Sequence, residues 1–210
     1  LDPLVSIESG WEYSWDTGGT SPGSPLWNTI EWRPIDYPSN PPDRNGREEV
    51  WYRYELPRID VVDSALFIYS IDLNAVVYIN ETVVYRFLPD DPQSAPEFIG
   101  WPRHIIDIPD YSPGSYINIH VLSDYTDIGL FGDVLLGNKA THINRLYLRD
   151  LPRALVISIS FIVGIILLGI YMIVREESGM LHLSIISFLL VLRVLSQTFF
   201  REYLLDAPVA

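Results

Sequence analysis

An uncharged run of 21 residues, 154–174, constrains the fold of this chain more than any other feature. As an α-helix that rises 1.5 Å per residue, the run is about 31 Å long, which matches the hydrocarbon core of a bilayer. It follows about 150 residues of polar, strand-like sequence, whereas the apolar core of a signal peptide is shorter and N-terminal. The run therefore predicts a membrane-spanning helix that comes after a folded domain.

A second apolar run, residues 181–200, predicts a second spanning helix, and it contains His182 and Arg193. Arg193 lies about two-thirds of the way along this run. A charge at that depth in lipid is costly, so we expect it to face other helices or a polar cavity in a bundle of more than two helices. The alternative is that Arg193 extends to the membrane surface, or that the run is a shorter, partly interfacial helix.

The net charge of the chain, −13, comes entirely from residues 1–150, which hold 23 acidic and 10 basic side chains. We therefore expect two domains, a soluble one over 1–150 and a membrane one over 151–210. An acidic surface disfavours binding to nucleic acid and to anionic lipid headgroups. The chain has no cysteine, which excludes disulfides and thiolate chemistry.

Residues 1–150 predict short β-strands, because Pro, Gly, Asn and Asp separate runs that are rich in β-branched and aromatic residues. In 50–56 the even-numbered residues are expected to face the core, while Trp51, Arg53 and Glu55 face outward. In 117–121 the odd-numbered residues are expected to share the core face. Two β-branched runs meet at Asn80 and Glu81, which predicts a tight hairpin. Such a pattern favours a sandwich or jelly roll.

In their order, these elements resemble the galactose-binding-like jelly roll that opens β-galactosidases and β-glucuronidases. The family pattern WYRR.F.LP has a counterpart in Trp51-Tyr52-Arg53, V.VNG..V in 77–83, and P....G.N.I in 109–119. Two positions depart from the family, because its Asn-Gly turn is Asn80-Glu81 here and its G.N is Gly114-Ser115-Tyr116. The resemblance covers most of residues 10–137 and implies a mainly β jelly-roll sandwich, followed by the two predicted transmembrane helices.

The residues do not predict catalysis. Glycoside hydrolysis needs two carboxylates about 5–9.5 Å apart in a pocket, and no acidic pair is marked out by its spacing. The four histidines are too scattered for a metal motif, so no metal and no cofactor are predicted, and the alternative left open is a structural calcium ion held by loop carboxylates. This segment is therefore predicted not to be an enzyme, and a membrane-tethered glycosidase is the weakest of the functions considered.

Ligand binding is the more informative hypothesis, because the chain contains six Trp and thirteen Tyr, which is a large number of aromatic side chains. Aromatic faces stack on the apolar faces of sugars. The candidate ligand-binding residues are Trp32, Trp51, Arg53 and Trp101. The alternative for any one aromatic residue is packing in the core or at its rim, and the alternative for Arg53 is an ion pair with Glu55 or Asp72.

Residues 154–200 resemble the bacterial seven-transmembrane receptors with diverse intracellular signalling modules, on a second-span pattern matched by Leu181, Leu192, Arg193 and Leu195. The resemblance implies a sensor that binds an extracellular ligand, such as a carbohydrate, and relays it inward to a cyclase, kinase or phosphatase module that these residues do not include. The segment 142–152 is the predicted coupling element, with Arg145, Tyr147 and Arg149 as candidates. The alternative is a membrane-anchored module that binds carbohydrate or protein without signalling.

Two sequence features give opposite indications of the side of the membrane on which the N-terminal domain lies. Arg145, Arg149 and Arg153 precede the first span and Arg175 follows it, which by itself favours a cytoplasmic N-terminal domain. Large domains translocate largely regardless of charge, and the receptor resemblance implies the opposite side. We therefore expect a bacterial inner-membrane protein whose N-terminal domain is extracytoplasmic. Its expected partners are a small-molecule or carbohydrate ligand and the lipid bilayer, not nucleic acid, and a homodimer is left open.

Overall fold

The computed structural model describes residues 4–15, 30–87, 101–109, 111–174 and 178–198. The chain divides into two compact units, residues 1–142 and 143–210. The described strands are β1 (Val5–Ser6), β2 (Trp11–Ser14), β3 (Arg33–Ile35), β4 (Glu49–Glu55), β5 (Ser64–Asp72), β6 (Asn74–Ile79), β7 (Thr82–Phe87), β8 (His104–Asp107), β9 (Tyr116–Leu122) and β10 (Gly129–Asn138). Two helices follow, α1 (Lys139–Val174) and α2 (Ser178–Leu195).

The strands form two antiparallel sheets. One sheet has four strands in the order β1-β10-β5-β8, and the other has six in the order β3-β2-β4-β9-β6-β7. Buried side chains from both sheets form one hydrophobic core, which includes Leu66 and Ile68 of β5 and Ile117 and Ile119 of β9. The predicted class, a mainly β sandwich followed by two helices, is confirmed.

Alternation along β4 and β9 sets which residues face this core. Val50 and Tyr52 are fully buried in it, as are the odd-numbered residues of 117–121. Trp51 and Arg53 lie on the outer face of the six-stranded sheet, as expected. The outward position of Trp51 does not expose it, however, since only 1% of its surface is accessible. A second, smaller apolar cluster therefore covers part of the outer face.

The predicted hairpin is confirmed. Ile79 pairs with Thr82, so Asn80 and Glu81 form a two-residue connection between β6 and β7. Asn80 has a φ of 52°, a left-handed value that Asn tolerates better than most residues. Its side chain also accepts a hydrogen bond from the Tyr116 amide at 3.2 Å. The turn therefore fixes β7 at the edge of the sheet and contacts the start of β9.

The two helices pack along a seam whose most buried positions, Gly164 and Ser184, are small. In α1 the less exposed positions are 157, 160, 164, 167 and 171, a heptad-like spacing of three and four residues. The Ser184 hydroxyl, 1% exposed, donates to the Gly164 carbonyl at 2.9 Å. The Phe188 ring lies 3.1 Å from where a Cβ on Gly164 would be, and it meets Phe161 edge-on at 5.8 Å. Small side chains therefore allow the close approach of the helices.

The large apolar side chains of these helices lie on the surface of their unit. Ile159, Ile166 and Ile173 of α1 and Ile186 and Leu192 of α2 are each more than half exposed. Both helices are long and apolar enough to cross a membrane. In the most apolar 18-residue stretch of each helix, only 6% is buried. Burying small residues while exposing large apolar ones is typical of membrane helices and opposite to a water-soluble helical pair.

Candidate ligand-binding site

Three of the four predicted ligand-binding residues meet on the outer face of the six-stranded sheet. The register places Arg53 opposite Glu12 on one side and opposite Asn118 on the other. Arg53 Nε donates to Glu12 Oε2 at 2.8 Å, so the partner is neither of the two acids that the sequence suggested. The guanidinium also lies between two aromatic rings, 4.4 Å from the centroid of Trp32 and 4.7 Å from that of Tyr116.

Trp51 is the centre of the packing on this face. Its indole stacks on His120 with centroids 4.3 Å apart and an interplanar angle of 14°, and it contacts Tyr78 at 5.7 Å. His120 Nε2 in turn donates to Glu49 Oε2 at 3.2 Å, and this hydrogen bond lowers the pKa of the Glu49 carboxyl. Because Trp51 is 1% exposed, it offers no open ring face to a sugar in this structure.

Trp32 Nε1 and Asn118 Oδ1 on this face are buried without a hydrogen-bond partner among the described residues. Asn118 is 2% exposed, and its amide nitrogen makes only a long contact, 3.4 Å, with the Asn80 carbonyl. Buried polar groups normally find a partner in protein or ordered water. A donor and an acceptor therefore remain for a water or a hydroxyl group beside Arg53.

Trp101 is placed apart from the other three candidates. It precedes β8, which is an edge strand of the four-stranded sheet, and its side chain is 53% exposed. The four predicted residues therefore do not form one binding surface in this structure. Their role in binding stays a prediction.

A polar cleft of about 410 Å³ lies beside β2 and β3, at residues that the sequence analysis did not select. It is lined by Tyr13, Ser14, Trp15, Glu31, Arg33, Asp43, Asn45 and Arg47. Trp15 Nε1 donates to the Pro42 carbonyl at 2.7 Å, which fixes the indole at the wall of the cleft. The Arg33 and Glu31 side chains meet at 3.7 Å and are both more than half exposed.

The loop that supplies the far wall is held by Arg44. Its guanidinium donates to the Ser123 and Arg47 carbonyls, each at 2.8 Å, and to the Thr126 carbonyl at 2.5 Å. Asp43 and Asn45 on either side have left-handed φ values of 61° and 47°. The turn-forming run Asp43-Arg44-Asn45-Gly46 is the sequence signal that could have marked this loop.

The candidate coupling residues lie on α1, which begins directly after β10. Asn138 caps this helix, since its Oδ1 accepts from the Ala140 amide at 2.8 Å, and its Nδ2 donates to the Val62 carbonyl at 2.7 Å. The predicted coupling segment is helical throughout and contains Pro152 within the helix. Arg145, Tyr147 and Arg149 occupy its second and third turns, and Tyr147 is 45% exposed.

The two polar residues predicted for the membrane bundle are both exposed in the helical unit. His182 Nδ1 lies 2.6 Å from the Ser178 carbonyl, in the first turns of α2. α2 ends at Leu195, so Arg193 lies in its last turn. A cation near a helix C-terminus is favoured by the helix dipole, and this position agrees better with extension to the membrane surface than with a location deep in the span. The predicted end of the span, residues 199–200, lies outside the described residues.

Within the described ranges, no group of three or more His, Asp or Glu side chains could hold a metal ion. On the outer face of the six-stranded sheet, guanidinium and carboxylate groups lie beside aromatic rings. The described residues form a two-sheet β-sandwich followed by two helices that are long and apolar enough to span a membrane.

No family model and no curated protein matches the sequence. Solved structures do resemble it. A glycosyl hydrolase family 2 member from Bacteroides cellulosilyticus is 18% identical with a TM-score of 0.44. A β-glycosidase from Bacteroides vulgatus is 17% identical at 0.45, and a β-glucuronidase from Parabacteroides merdae is 18% identical at 0.45. Each match covers 64% of this chain but only 20–21% of the other. The chain thus spans about a fifth of these enzymes, and the likeness concerns the fold alone.

Proposed function

We propose that this chain is the sensor part of a bacterial membrane receptor. Its β-sandwich binds an extracellular ligand, a carbohydrate in our proposal, and α1 relays occupancy toward the membrane helices. The observation that carries this proposal is the direct passage from strand to helix, because β10 ends at Asn138 and α1 begins at Lys139 and continues to Val174. A single helix of 36 residues therefore starts in the sandwich and contains the first apolar run.

The first turn of α1 is bonded to the strands it follows. The Lys139 amide donates to the Asp63 carbonyl at 3.0 Å, and its ammonium group reaches Asp107 of β8 at 2.8 Å. His142 Nε2 lies 3.1 Å from the Ala65 carbonyl, and its ring stacks on Phe67 of β5 at 5.9 Å. A shift of β5 or β8 would therefore move the start of this helix rather than a flexible linker.

Relay also requires that the ligand bind two conformations with different affinity. The candidate coupling residues Arg145, Tyr147 and Arg149 follow the bonded turn, and Pro152 removes one backbone donor from the helix shortly before the apolar run. Proline is a position at which helices bend. In our proposal α1 bends at Pro152 relative to its hydrogen-bonded first turn, and the straight and bent helices are the two conformations. These features support a relay through the segment 142–152.

The relay can be measured on this chain in nanodiscs, because it has no native cysteine and a single label can be attached at Leu155→Cys. The ligand is the carbohydrate that a glycan array selects. We expect binding to change the fluorescence of an environment-sensitive label at this position. In a variant whose residues 143–151 are replaced by a glycine–serine linker of equal length, the affinity should persist and the fluorescence change should disappear.

An unchanged response in the linker variant would contradict the relay and favour the anchored binding module without signalling. Orientation has its own test, protease treatment of intact spheroplasts. Cleavage within residues 1–142 is expected from outside the cell. Protection of the β-sandwich in this assay would place it in the cytoplasm and overturn the proposal.

A further inference from the structure

The polar cleft beside β2 and β3 has the chemistry of a saccharide site. We propose that this cleft, and not the outer face around Trp51, is where the β-sandwich binds its ligand, and that the ligand is a neutral saccharide. The inference rests on the proposed function for its assumption that the sandwich is a sensor domain. It adds the location of the site and the charge class of the ligand.

The lining of the cleft alternates hydrogen-bond donors with acceptors. Arg33 and Arg47 provide guanidinium donors, and Glu31 and Asp43 provide carboxylate acceptors. A sugar hydroxyl both donates and accepts, so neighbouring hydroxyls can bond to a carboxylate and a guanidinium at once. The Asp43 carboxylate has no partner among the described residues, since Arg47 Nη1 donates instead to the Asp43 backbone carbonyl at 2.9 Å.

The charge balance selects a neutral ligand. Two guanidinium groups and two carboxylates leave the lining with no net charge, so an anionic sugar gains no surplus of positive charge there. The rest of the soluble part is strongly acidic, because residues 1–150 carry the whole net charge of −13. The electrostatic field of these acidic side chains repels anions from the surface, whereas it does not repel a neutral saccharide.

An aromatic wall completes the site. Trp15 is held by its bond to the Pro42 carbonyl, and Tyr13 meets it edge-on with centroids 6.4 Å apart and an interplanar angle of 81°. The Arg47 guanidinium lies 5.9 Å from the centroid of the indole. Indole rings pack against the C–H faces of sugars, so this wall can contact the apolar side of a ring while the charged groups bond to its hydroxyls.

The cleft is also preformed. Two of the carbonyl bonds of Arg44 join this loop to Ser123 and Thr126, and the third, to the Arg47 carbonyl, holds the loop itself. A rigid site loses less entropy on binding. By contrast, a ligand at Trp51 would have to displace the packing that leaves this residue 1% exposed.

The test uses the full chain in detergent micelles, first on a glycan array and then by calorimetry with the neutral saccharide that binds best. Asp43→Asn removes one carboxylate and keeps a residue that tolerates a left-handed φ. Arg33→Gln removes one guanidinium at an exposed position. Each variant should weaken binding by about tenfold or more, as expected for a hydrogen bond to a charged group, with an unchanged thermal midpoint. Asp60→Asn, an exposed acid outside the cleft, is the matched control and should bind like the wild type.

Wild-type affinity in both Asp43→Asn and Arg33→Gln would overturn the cleft as the site. If binding were lost instead in Trp32→Ala, with the fold retained, the site would be the outer face and the sensor proposal would stand. Preference for glucuronate over neutral sugars, or binding of free amino acids alone, would overturn the neutral-saccharide assignment. Failure of every glycan to bind would overturn it as well, whereas the sensor proposal fails separately, through an unchanged response in the linker variant.

Discussion

His104 gives the β-sandwich a defined sensitivity to acid. The residue opens β8, is 1% exposed, and has one nitrogen hydrogen-bonded to the Tyr85 hydroxyl at 2.9 Å. Its other nitrogen, Nε2, is buried without a partner among the described residues, and the Phe87 ring meets the imidazole edge-on with centroids 4.7 Å apart. Burial of this kind disfavours the charged form and lowers the pKa of His104 from 6.5 to about 4.

The sign of the effect follows from which state binds the proton. Between pH 6.5 and pH 4 the unfolded chain protonates this imidazole and the folded chain does not, so stability falls as the pH falls through that window. Each pH unit is worth about 1.4 kcal/mol, and the whole window therefore costs about 3 kcal/mol. Above pH 6.5 the group is neutral in both states and the stability is fully retained.

Tryptophan fluorescence isolates this effect, because all six Trp lie at or before residue 101, within the sandwich unit. Urea unfolding of the full chain in micelles is compared from pH 7.5 to pH 4.5 for the wild type and for His104→Asn, whose amide replaces Nδ1 without titrating. We expect the wild type to lose about 2–3 kcal/mol more than the variant over this range. Equal pH dependence in the wild type and His104→Asn would refute the assignment.

Three further changes have expected outcomes. Trp51→Ala should lower the free energy of unfolding by about 3–5 kcal/mol because it empties a packed site, whereas the exposed Trp101→Ala should change it by less than about 0.5 kcal/mol; equal losses in urea titrations would contradict the packing role of Trp51. Asn138→Ala removes the cap of α1 and should cost about 1–2 kcal/mol in the same assay, while Asn144→Ala, within the helix, should not destabilise it. Gly164→Leu meets the Phe188 ring and should weaken the helix pair in a detergent-denaturation series followed by circular dichroism, whereas Gly169→Leu, with open space around its Cβ position, should not.

Local patterns in the sequence predicted the elements whose causes are local. The alternation in 50–56 identified the core-facing residues of β4, because the side chains of a strand point to opposite faces in turn. Asn80 identified the hairpin, because few other residues adopt its backbone conformation without strain. The uncharged run identified the apolar part of α1, whereas the start of this helix at Lys139, 15 residues earlier, was not predicted.

What the sequence could not supply depends on contacts between distant residues. Trp51 faces outward as the alternation requires, yet His120 and Tyr78 from neighbouring strands bury it there. Arg53 pairs with Glu12, which is 41 residues away along the chain, and not with the acids close to it in the sequence. The cleft combines residues around Trp15 with those around Arg33 and Asp43. The pairing of β2 with β3 and the hydrogen bond from Trp15 to the Pro42 carbonyl bring them together.

The two units of this chain bury opposite kinds of side chain, and the helix pair buries the kind expected of helices that could span a membrane. The sandwich encloses Ile, Val and Tyr and leaves its acids in water. The helix pair encloses Ser184 and Gly164 and leaves Ile166 and Leu192 on its surface, more than half exposed. In water such a surface would drive aggregation, but in a bilayer it costs nothing because lipid is as apolar as leucine. The burial of Ser184 and Gly164 therefore supports a membrane-spanning role for these helices independently of their length and hydropathy.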